Sequence, residues 1–239
     1  LKGFYSLEND LPDWFCGSNF SYFPYAKDQF DERVQDPINF IHNEQYALHV
    51  INELLNGVTR QDASNLSALA YISIGTFGLV ENIEMQLENI RRNNILLCSQ
   101  MMKLIEIFKN IAIRCRDDDD DLKSQTTLLF YSSTIIFFIV NVCIEKRNAE
   151  CEKVSQVIDI LDESKFLQFL TRYIEHWRWN SRLSMRIRNI ISLLFKVLLL
   201  EFGDRAEYQS AKSFLHKFHD IKYSKNTNAK KCTISPLNY

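Results

Sequence analysis

The amino-acid sequence predicts an all-α protein, and three observations support that prediction. The chain has 6 Gly and 4 Pro in 239 residues, below the average usage of about 7% and 5% and too few for the turns of a sandwich or barrel. Apolar residues recur at helical spacing over most of the chain. No convincing stretch alternates polar and apolar residues as a strand does. We expect an armadillo/HEAT-like helical solenoid or an irregular helical array, since no clean repeat of about 40 residues can be counted.

By composition, the chain divides into an arm, a helical body and a linker. Residues 1–35 are rich in aromatic side chains but not periodic, so we expect this N-terminal arm to pack on the body and cover it. Residues 36–221 carry the helical patterns and are predicted to be an α-helical scaffold domain. Residues 222–239 are rich in Lys, Asn, Ser and Thr, and indicate a linker toward a missing C-terminal part. The first residue, Leu1, predicts a fragment of a longer protein.

Capping residues predict the helix boundaries in the first half of the body. Asp36 and Pro37 suit the N-cap and first position of a helix, and Gly57 suits its end. Further along, the sequence Arg-Arg-Asn-Asn predicts a turn at residues 91–94. A longer helix is then expected from Ile95 to about Cys115.

The most apolar run of the chain is Leu128–Ile144. It contains Ser, Thr and Asn and is shorter than the about 20 residues of a membrane span, so we predict a buried core helix and no membrane span in this fragment. After a corner at residues 177–180, a helix is expected from Ser181 to Gly203. Asp204 and Glu207 then suit the cap of a last helix.

A structural turn is predicted where two glycines stand three residues apart. Its residues are Gly75, Thr76, Phe77 and Gly78. Glycine permits positive φ and lets two backbones approach closely. We therefore expect a chain reversal at this position, between two helices.

Positive charge is concentrated toward the C-terminus. Residues 1–164 contain 14 Lys and Arg against 25 Asp and Glu, whereas residues 165–239 contain 14 against 5. A dense basic group consists of Arg178, Trp179, Arg182, Arg186 and Arg188. On a continuous helix its first three arginines would share a face at i, i+4 and i+8. We predict that the group binds an acidic partner or a phosphate; a solvated outer face is the open alternative.

The sequence contains no recognisable pattern for catalysis, metal binding or nucleic-acid binding. It lacks a Gly-rich phosphate loop, G-x-S-x-G, H-E-x-x-H and a kinase signature, so we predict that the chain is not an enzyme. Its 6 cysteines have no C-x-x-C spacing and indicate reduced thiols in the cytosol. His216 and His219 have no third ligand nearby, and the net charge of −2 argues against nucleic acid.

Several stretches together resemble the N-terminal conserved domain of the striatin-interacting proteins. The distinctive part is Ala70–Gly78, AYISIGTFG, followed by Arg92–Leu97, RNNILL. Asp10-Leu11-Pro12 resembles the family's acidic-aromatic beginning. Leu128–Glu145 is similar to its apolar helix, and Asp162–Lys217 is similar to the last helices of this domain. The Tyr- and Asn-rich character resembles fungal members, and the resemblance covers nearly the whole chain.

The resemblance implies a non-catalytic α-helical scaffold without a cofactor. The family joins the scaffold and catalytic subunits of protein phosphatase 2A to a striatin-type regulatory subunit, a Mob-like subunit and germinal-centre kinases. Its fungal members imply a role in pheromone-induced cell-cycle arrest and opposition to target-of-rapamycin complex 2 signalling. They also imply a cytoplasmic location, where partners bring the protein to the cytosolic face of endomembranes.

Composition alone leaves a second class of function open. The basic C-terminal helices suit a small anionic ligand such as an inositol polyphosphate, and dispersed residues can form an enzyme site that no motif reveals. Capture of phosphatase subunits by the chain would support the scaffold. Thermal stabilisation by the polyphosphate would support this alternative.

Overall fold

The structure is a computed structural model that describes residues 6–15, 23–58, 63–75, 80, 82–117, 122–147, 151–178 and 186–218. Within these ranges the chain forms α-helices and no strand, which confirms the predicted all-α class. A solenoid of the armadillo/HEAT type stays a prediction. In chain order the helices are α1 (Leu7–Trp14), α2 (Phe23–Arg33), α3 (Pro37–His42), α4 (Glu44–Asn56), α5 (Ser64–Ser73), α6 (Ile83–Leu97), α7 (Met101–Asp117), α8 (Leu122–Lys146), α9 (Glu152–Glu163), α10 (Phe166–Arg178), α11 (Ile187–Phe202) and α12 (Arg205–Phe218).

The chain divides into two compact units, Leu1–Glu201 and Phe202–Tyr239. The predicted linker, residues 222–239, lies outside the described residues, and the domain boundary at residue 221 stays a prediction. In the second unit, the cap of α12 forms as predicted. The Asp204 carboxylate accepts hydrogen bonds from the N–H groups of Ala206 and Glu207 at 2.8 and 2.9 Å, and the Glu207 carboxylate accepts one from the Asp204 N–H at 2.8 Å.

Helix α8 forms the centre of the core in the first unit. Every residue from Leu128 to Cys143 is buried, and α8 packs against α5, α6 and α7. By length and composition α8 is apolar enough to cross a membrane, but 89% of its apolar window is buried inside the protein. The hydroxyl groups of Ser132, Ser133 and Thr134 are satisfied there, because they donate to carbonyls of their own helix, as Thr134 does to Phe130 at 2.7 Å.

Several helix boundaries predicted from the sequence are wrong. The helix expected from Ser181 to Gly203 is not continuous, because Arg186 has a φ of +54° and α11 begins at Ile187. Residues 91–94 do not form a turn, because they lie inside α6, where both asparagine side chains bond to a neighbouring helix. The single helix expected from Asp36 to Gly57 is instead α3 and α4. The break falls at Asn43, whose side chain accepts a hydrogen bond from the Tyr46 N–H at 3.1 Å and caps a new helix.

Carbonyl groups at the C-terminal ends of several helices accept hydrogen bonds from side chains of other elements. A helix leaves its last four carbonyls without intrahelical partners, and glycine-based caps often satisfy them. At the helices named next, side chains of other elements supply donors, which fixes the helices relative to one another. The bonds run from Arg92 to Phe40 of α3 at 2.5 Å, from Asn65 to Gly57 after α4 at 2.6 Å, from Arg147 to Leu199 of α11 at 3.3 Å, and from Lys109 to Ser164 after α9.

Candidate interaction surface

Amide side chains of α6 bond to the C-terminal end of α5, and we call this set of bonds the α5–α6 lock. Four consecutive carbonyl oxygens each accept one hydrogen bond from a side chain of α6. The donors are Asn93 to Ile72 at 2.9 Å, Asn94 to Ser73 at 2.8 Å, Gln86 to Ile74 at 3.0 Å and Asn89 to Gly75 at 3.3 Å. Asn93 and Asn94 are completely buried. The stretches that carry the family resemblance therefore hold two helices together, and their polar groups are occupied by that role.

Gly75 lies where α5 turns toward α6. Its φ is +65°, a left-handed conformation that residues with a Cβ rarely adopt. A Cβ at this position would lie 2.8 Å from the backbone nitrogen of Ile90 and 2.9 Å from the carbonyl oxygen of Gln86. Both reasons for expecting glycine thus apply at residue 75. The other members of the predicted turn, Thr76, Phe77 and Gly78, lie outside the described residues.

Trp14 anchors the N-terminal arm to the core. Its ring stacks on that of Phe137 of α8, with centroids 3.9 Å apart, and its indole N–H donates to the hydroxyl of Thr134 at 2.9 Å. The next residue, Phe15, contacts the rings of Phe130 and Phe138, also on α8. Large buried aromatic rings with a satisfied polar group stabilise such a contact strongly.

Polar side chains of α11 hold α1 from its other side. Lys196 and Asp10 form an ion pair in which the two side chains keep only 4% and 16% of their exposure. Burial raises the pKa of Asp10, and the hydrogen bond and charge of Lys196 oppose that rise. At the C-terminal end of α1, the carbonyls of Asp13 and Trp14 accept hydrogen bonds from Arg188 at 2.9 Å and Asn189 at 3.1 Å.

A groove runs between α1 and α11, and we call it the α1–α11 groove. Its volume is about 740 Å³, and Phe137 of α8 contributes to its wall. The α11 side of the groove presents Ile191 and Phe195, which are 48% and 45% exposed. Large apolar side chains at this exposure, next to charged Asp13 and Arg188, are typical of surfaces that contact other proteins.

The basic group predicted from the sequence does not form one helical face. Helix α10 ends at Arg178, and Arg186 has a φ of +54° immediately before α11, which rules out one continuous helix through all three arginines. The guanidinium of Arg186 lies 4.8 Å from the centroid of the Phe130 ring, a cation–π contact with the core. Arg188 bonds to α1, as described above. Trp179 and Arg182 lie outside the described residues, and binding of a phosphate or inositol polyphosphate by the group stays a prediction.

Among the described residues, Cys98, Cys115 and Cys143 pack in the core as free thiols. The sulfur atoms of Cys98 and Cys143 are buried 3.8 Å apart. The thiol–thiol hydrogen bond lowers the pKa of Cys98 and raises that of Cys143, and burial raises the pKa of Cys115 to about 12. Within the described ranges, no three His, Cys, Asp or Glu side chains come together as a metal site would require.

Sequence reasoning missed the charged and polar contacts between α1 and α11. The signal was present, because Lys196 is a single charge within the apolar run LLFKVLLL. A lysine inside a buried helix needs a carboxylate partner, and Asp10 lies in a stretch that the resemblance had already marked. Asn189 gave no such signal, because an asparagine near a helix start usually indicates a cap or turn.

The fold and this surface define an all-α protein whose helices are joined to one another by side-chain hydrogen bonds. The chain belongs to the N1221-like protein family, whose family model matches residues 1–239. It is 46% identical over 239 residues to Factor arrest protein 11 of Saccharomyces cerevisiae, an alignment that covers 100% of this chain and 25% of the relative. These matches confirm the resemblance to the striatin-interacting family. The chain spans about a quarter of this relative, and no solved structure matches it.

Proposed function

We propose that the chain is a non-catalytic scaffold segment that docks protein partners through the α1–α11 groove. The observation that carries this proposal is the exposure of Ile191 and Phe195 beside an arm that Trp14 and Lys196 hold in place. A rigid, partly apolar groove reduces the entropy that a partner and its site lose on association. The buried polar groups near the groove hold α1 in place. This arrangement suits a docking surface better than a catalytic site.

The partners we propose are those of the striatin-interacting phosphatase and kinase assembly. They are the protein phosphatase 2A scaffold and catalytic subunits, a striatin-type regulatory subunit, a Mob-like subunit and germinal-centre kinases. The family membership supports this proposal, since the scaffold role is what the family implies. The assembly acts in the cytoplasm, and partners bring the segment to the cytosolic face of endomembranes.

The biological role we propose is pheromone-induced cell-cycle arrest together with control of target-of-rapamycin complex 2 signalling. The relationship to Factor arrest protein 11 supports the arrest role. Because the chain matches one quarter of that protein, the role belongs to a longer protein to which this segment contributes a docking surface.

A chimaeric protein tests the proposal in cells. The matching quarter of Factor arrest protein 11 is replaced by this chain in Saccharomyces cerevisiae, and a variant without that quarter is the control. We expect the chimaera to restore arrest in pheromone and to co-purify with the phosphatase catalytic subunit. A chimaera that is present at normal abundance, yet performs no better than the deletion in both assays, would contradict the proposed function.

A further inference from the structure

We propose that a second groove, between α7 and α10, binds an acidic peptide segment of a partner protein that inserts one aromatic or leucine side chain. This α7–α10 groove has a volume of about 370 Å³. Pockets of about 300–1,000 Å³ are typical of sites that enclose a ligand group. Its apolar wall consists of Ala112, Ile113, Phe169, Tyr173 and Trp177.

The aromatic side of the groove is preformed. Phe169, Tyr173 and Trp177 stand four residues apart on α10, so they share one face of the helix. Phe169 packs edge-on against Phe108 with ring centroids 6.1 Å apart, and the Tyr173 and Trp177 rings are 6.2 Å apart. An incoming side chain therefore meets a surface that needs no rearrangement.

The opposite side of the groove presents an exposed aliphatic side chain. Ile113 of α7 is 42% exposed, whereas Tyr173 and Trp177 are 6% and 8% exposed. Removing Ile113 from water against an inserted ring or leucine is favourable, because burial of apolar surface drives association. The groove is thus suited to one large apolar group, held between an isoleucine and an aromatic wall.

Charge around the groove favours an anionic partner. Arg172 and His176 are exposed at its mouth, one helical turn apart. Arg172 makes no hydrogen bond or ion pair with any residue in the described part of the chain. Of the neighbouring charges, Lys109 lies 5.6 Å from the centre of the Phe169 ring and Arg114 follows Ile113. The carboxylates on the two helices are Glu175 beside His176, Glu106 one turn from Lys109, and Asp117 at the end of α7.

The basic side chains at the mouth of the groove favour an acidic residue next to the inserted apolar side chain. A guanidinium binds a carboxylate through two parallel hydrogen bonds, so an Asp or Glu beside the apolar anchor can pair with Arg172. A peptide suits the groove better than a nucleic acid, because the walls accept a single apolar side chain and only a few cations surround it. The α7–α10 groove uses other helices than the α1–α11 groove, so this inference does not depend on the proposed function.

Fluorescence anisotropy of labelled peptides with the 239-residue chain tests the inference. The probe is a fluorescein-labelled peptide of one phenylalanine flanked on each side by two glutamates. We expect saturable binding, weakened about tenfold or more when alanine replaces the phenylalanine or lysines replace the glutamates. Arg172→Glu and Ile113→Glu should each weaken binding to a similar extent. Lys123→Glu, which makes the same charge change on α8, should leave it unchanged.

Three outcomes overturn the inference. They are no saturable binding of the phenylalanine peptide, equal binding of all three peptides, and wild-type affinity of a folded Arg172→Glu variant. Arg172 is exposed, so its replacement keeps the fold and decides the matter even where Ile113→Glu is unstable. Failure here, with phosphatase capture by the chimaera intact, contradicts this inference and leaves the proposed function standing.

Discussion

The side-chain nitrogen of Asn94 lies 2.8 Å from the carbonyl oxygen of Ser73, and the hydroxyl of Ser73 donates to the Asn94 side-chain oxygen at 2.8 Å. Both residues are completely buried. This reciprocal pair joins the end of α5 to the last turn of α6, where water cannot replace either partner. Loss of one side chain therefore leaves buried polar groups unsatisfied, which costs more than the net value of the hydrogen bonds.

The first prediction concerns this pair. Asn94→Leu keeps a similar volume but neither donates nor accepts, so we expect the free energy of unfolding to fall by about 2–4 kcal/mol. Urea unfolding measures the change. Asn110→Leu, at an exposed position of α7, is the matched control and should stay within about 0.5 kcal/mol of the wild type. Equal losses for the two variants would contradict the role given to the α5–α6 lock.

The second prediction concerns Gly75. Gly75→Ala introduces a Cβ at positive φ and within 2.9 Å of two backbone atoms of α6. We expect the free energy of unfolding to fall by about 2 kcal/mol or more, because the backbone strain and the steric overlap add to each other. Gly75→Val, with a larger side chain, should lose more. Thermal unfolding tests both variants, and unchanged melting temperatures would show that the close approach of α5 and α6 is not required.

The third prediction concerns the pH dependence of the Asp10–Lys196 pair. Because the folded pKa of Asp10 is raised, the folded chain binds this proton more tightly than the unfolded chain. The contribution of Asp10 to stability is therefore greatest below the ordinary carboxyl range and decreases as pH rises through the folded pKa. Lys196→Met removes the ammonium that opposes the rise in the pKa of Asp10, so stability decreases more steeply with pH. We expect the free energy of unfolding to fall by about 3 kcal/mol at pH 7 and by less at pH 4.

Urea unfolding of Lys196→Met at the two pH values measures this effect. The double variant Asp10→Asn, Lys196→Met is the control, because it has no carboxyl group to titrate at this position. Its loss of stability relative to the wild type should change less between pH 4 and pH 7. If Lys196→Met loses the same free energy of unfolding at both pH values, the charge of Asp10 does not contribute to that loss.

The fourth prediction concerns the basic group. Arg186 packs on Phe130, so Arg186→Glu should destabilise the fold, by about 1–2 kcal/mol. Arg178→Glu with Arg182→Glu separates binding from folding. If the group binds inositol hexakisphosphate, that ligand should raise the melting temperature of the wild type but not of the double variant, and the rise should fade at high salt.

Thermal unfolding with and without the polyphosphate is the measurement. Lys27→Glu with Lys123→Glu, two exposed lysines on α2 and α8, makes the same charge change elsewhere and serves as control. A wild-type chain that is not stabilised, or equal stabilisation of all three proteins, would show that the group is a solvated surface.

The fold class could be predicted from the sequence, whereas the contacts between distant helices could not. Helical spacing and the scarcity of glycine depend on local sequence, so they indicated α-helices correctly. Asn93 and Asn94 were assigned to a turn because asparagine has a low helix propensity. Tertiary contacts outweigh that propensity here, since both side chains bond to the end of α5.

Contacts between distant helices were missed at the candidate site for the same reason. Four arginines and a tryptophan close in sequence suggested one basic face, but the positive φ of Arg186 separates α10 from α11. The groove itself needs α1 and α11, which are more than 170 residues apart in the chain, as the Asn189–Trp14 bond shows. Within the sequence, only Lys196, a lone charge in an apolar helix, indicated the α1–α11 groove. Periodicity describes one helix at a time and cannot identify which helices meet.

The most direct test of the account is capture of the phosphatase by a groove variant. The pair Ile191→Glu and Phe195→Glu places two charges on the apolar side of the α1–α11 groove. The pair Ile83→Glu and Met85→Glu makes the same changes at residues of α6 that are 44% and 38% exposed, and serves as the control. Each pair is introduced into the chimaera with Factor arrest protein 11, and co-purified phosphatase 2A catalytic subunit is quantified. We expect the captured catalytic subunit to fall at least about tenfold for the groove pair and not at all for the control, with both proteins folded. Full capture by the folded groove variant would contradict it.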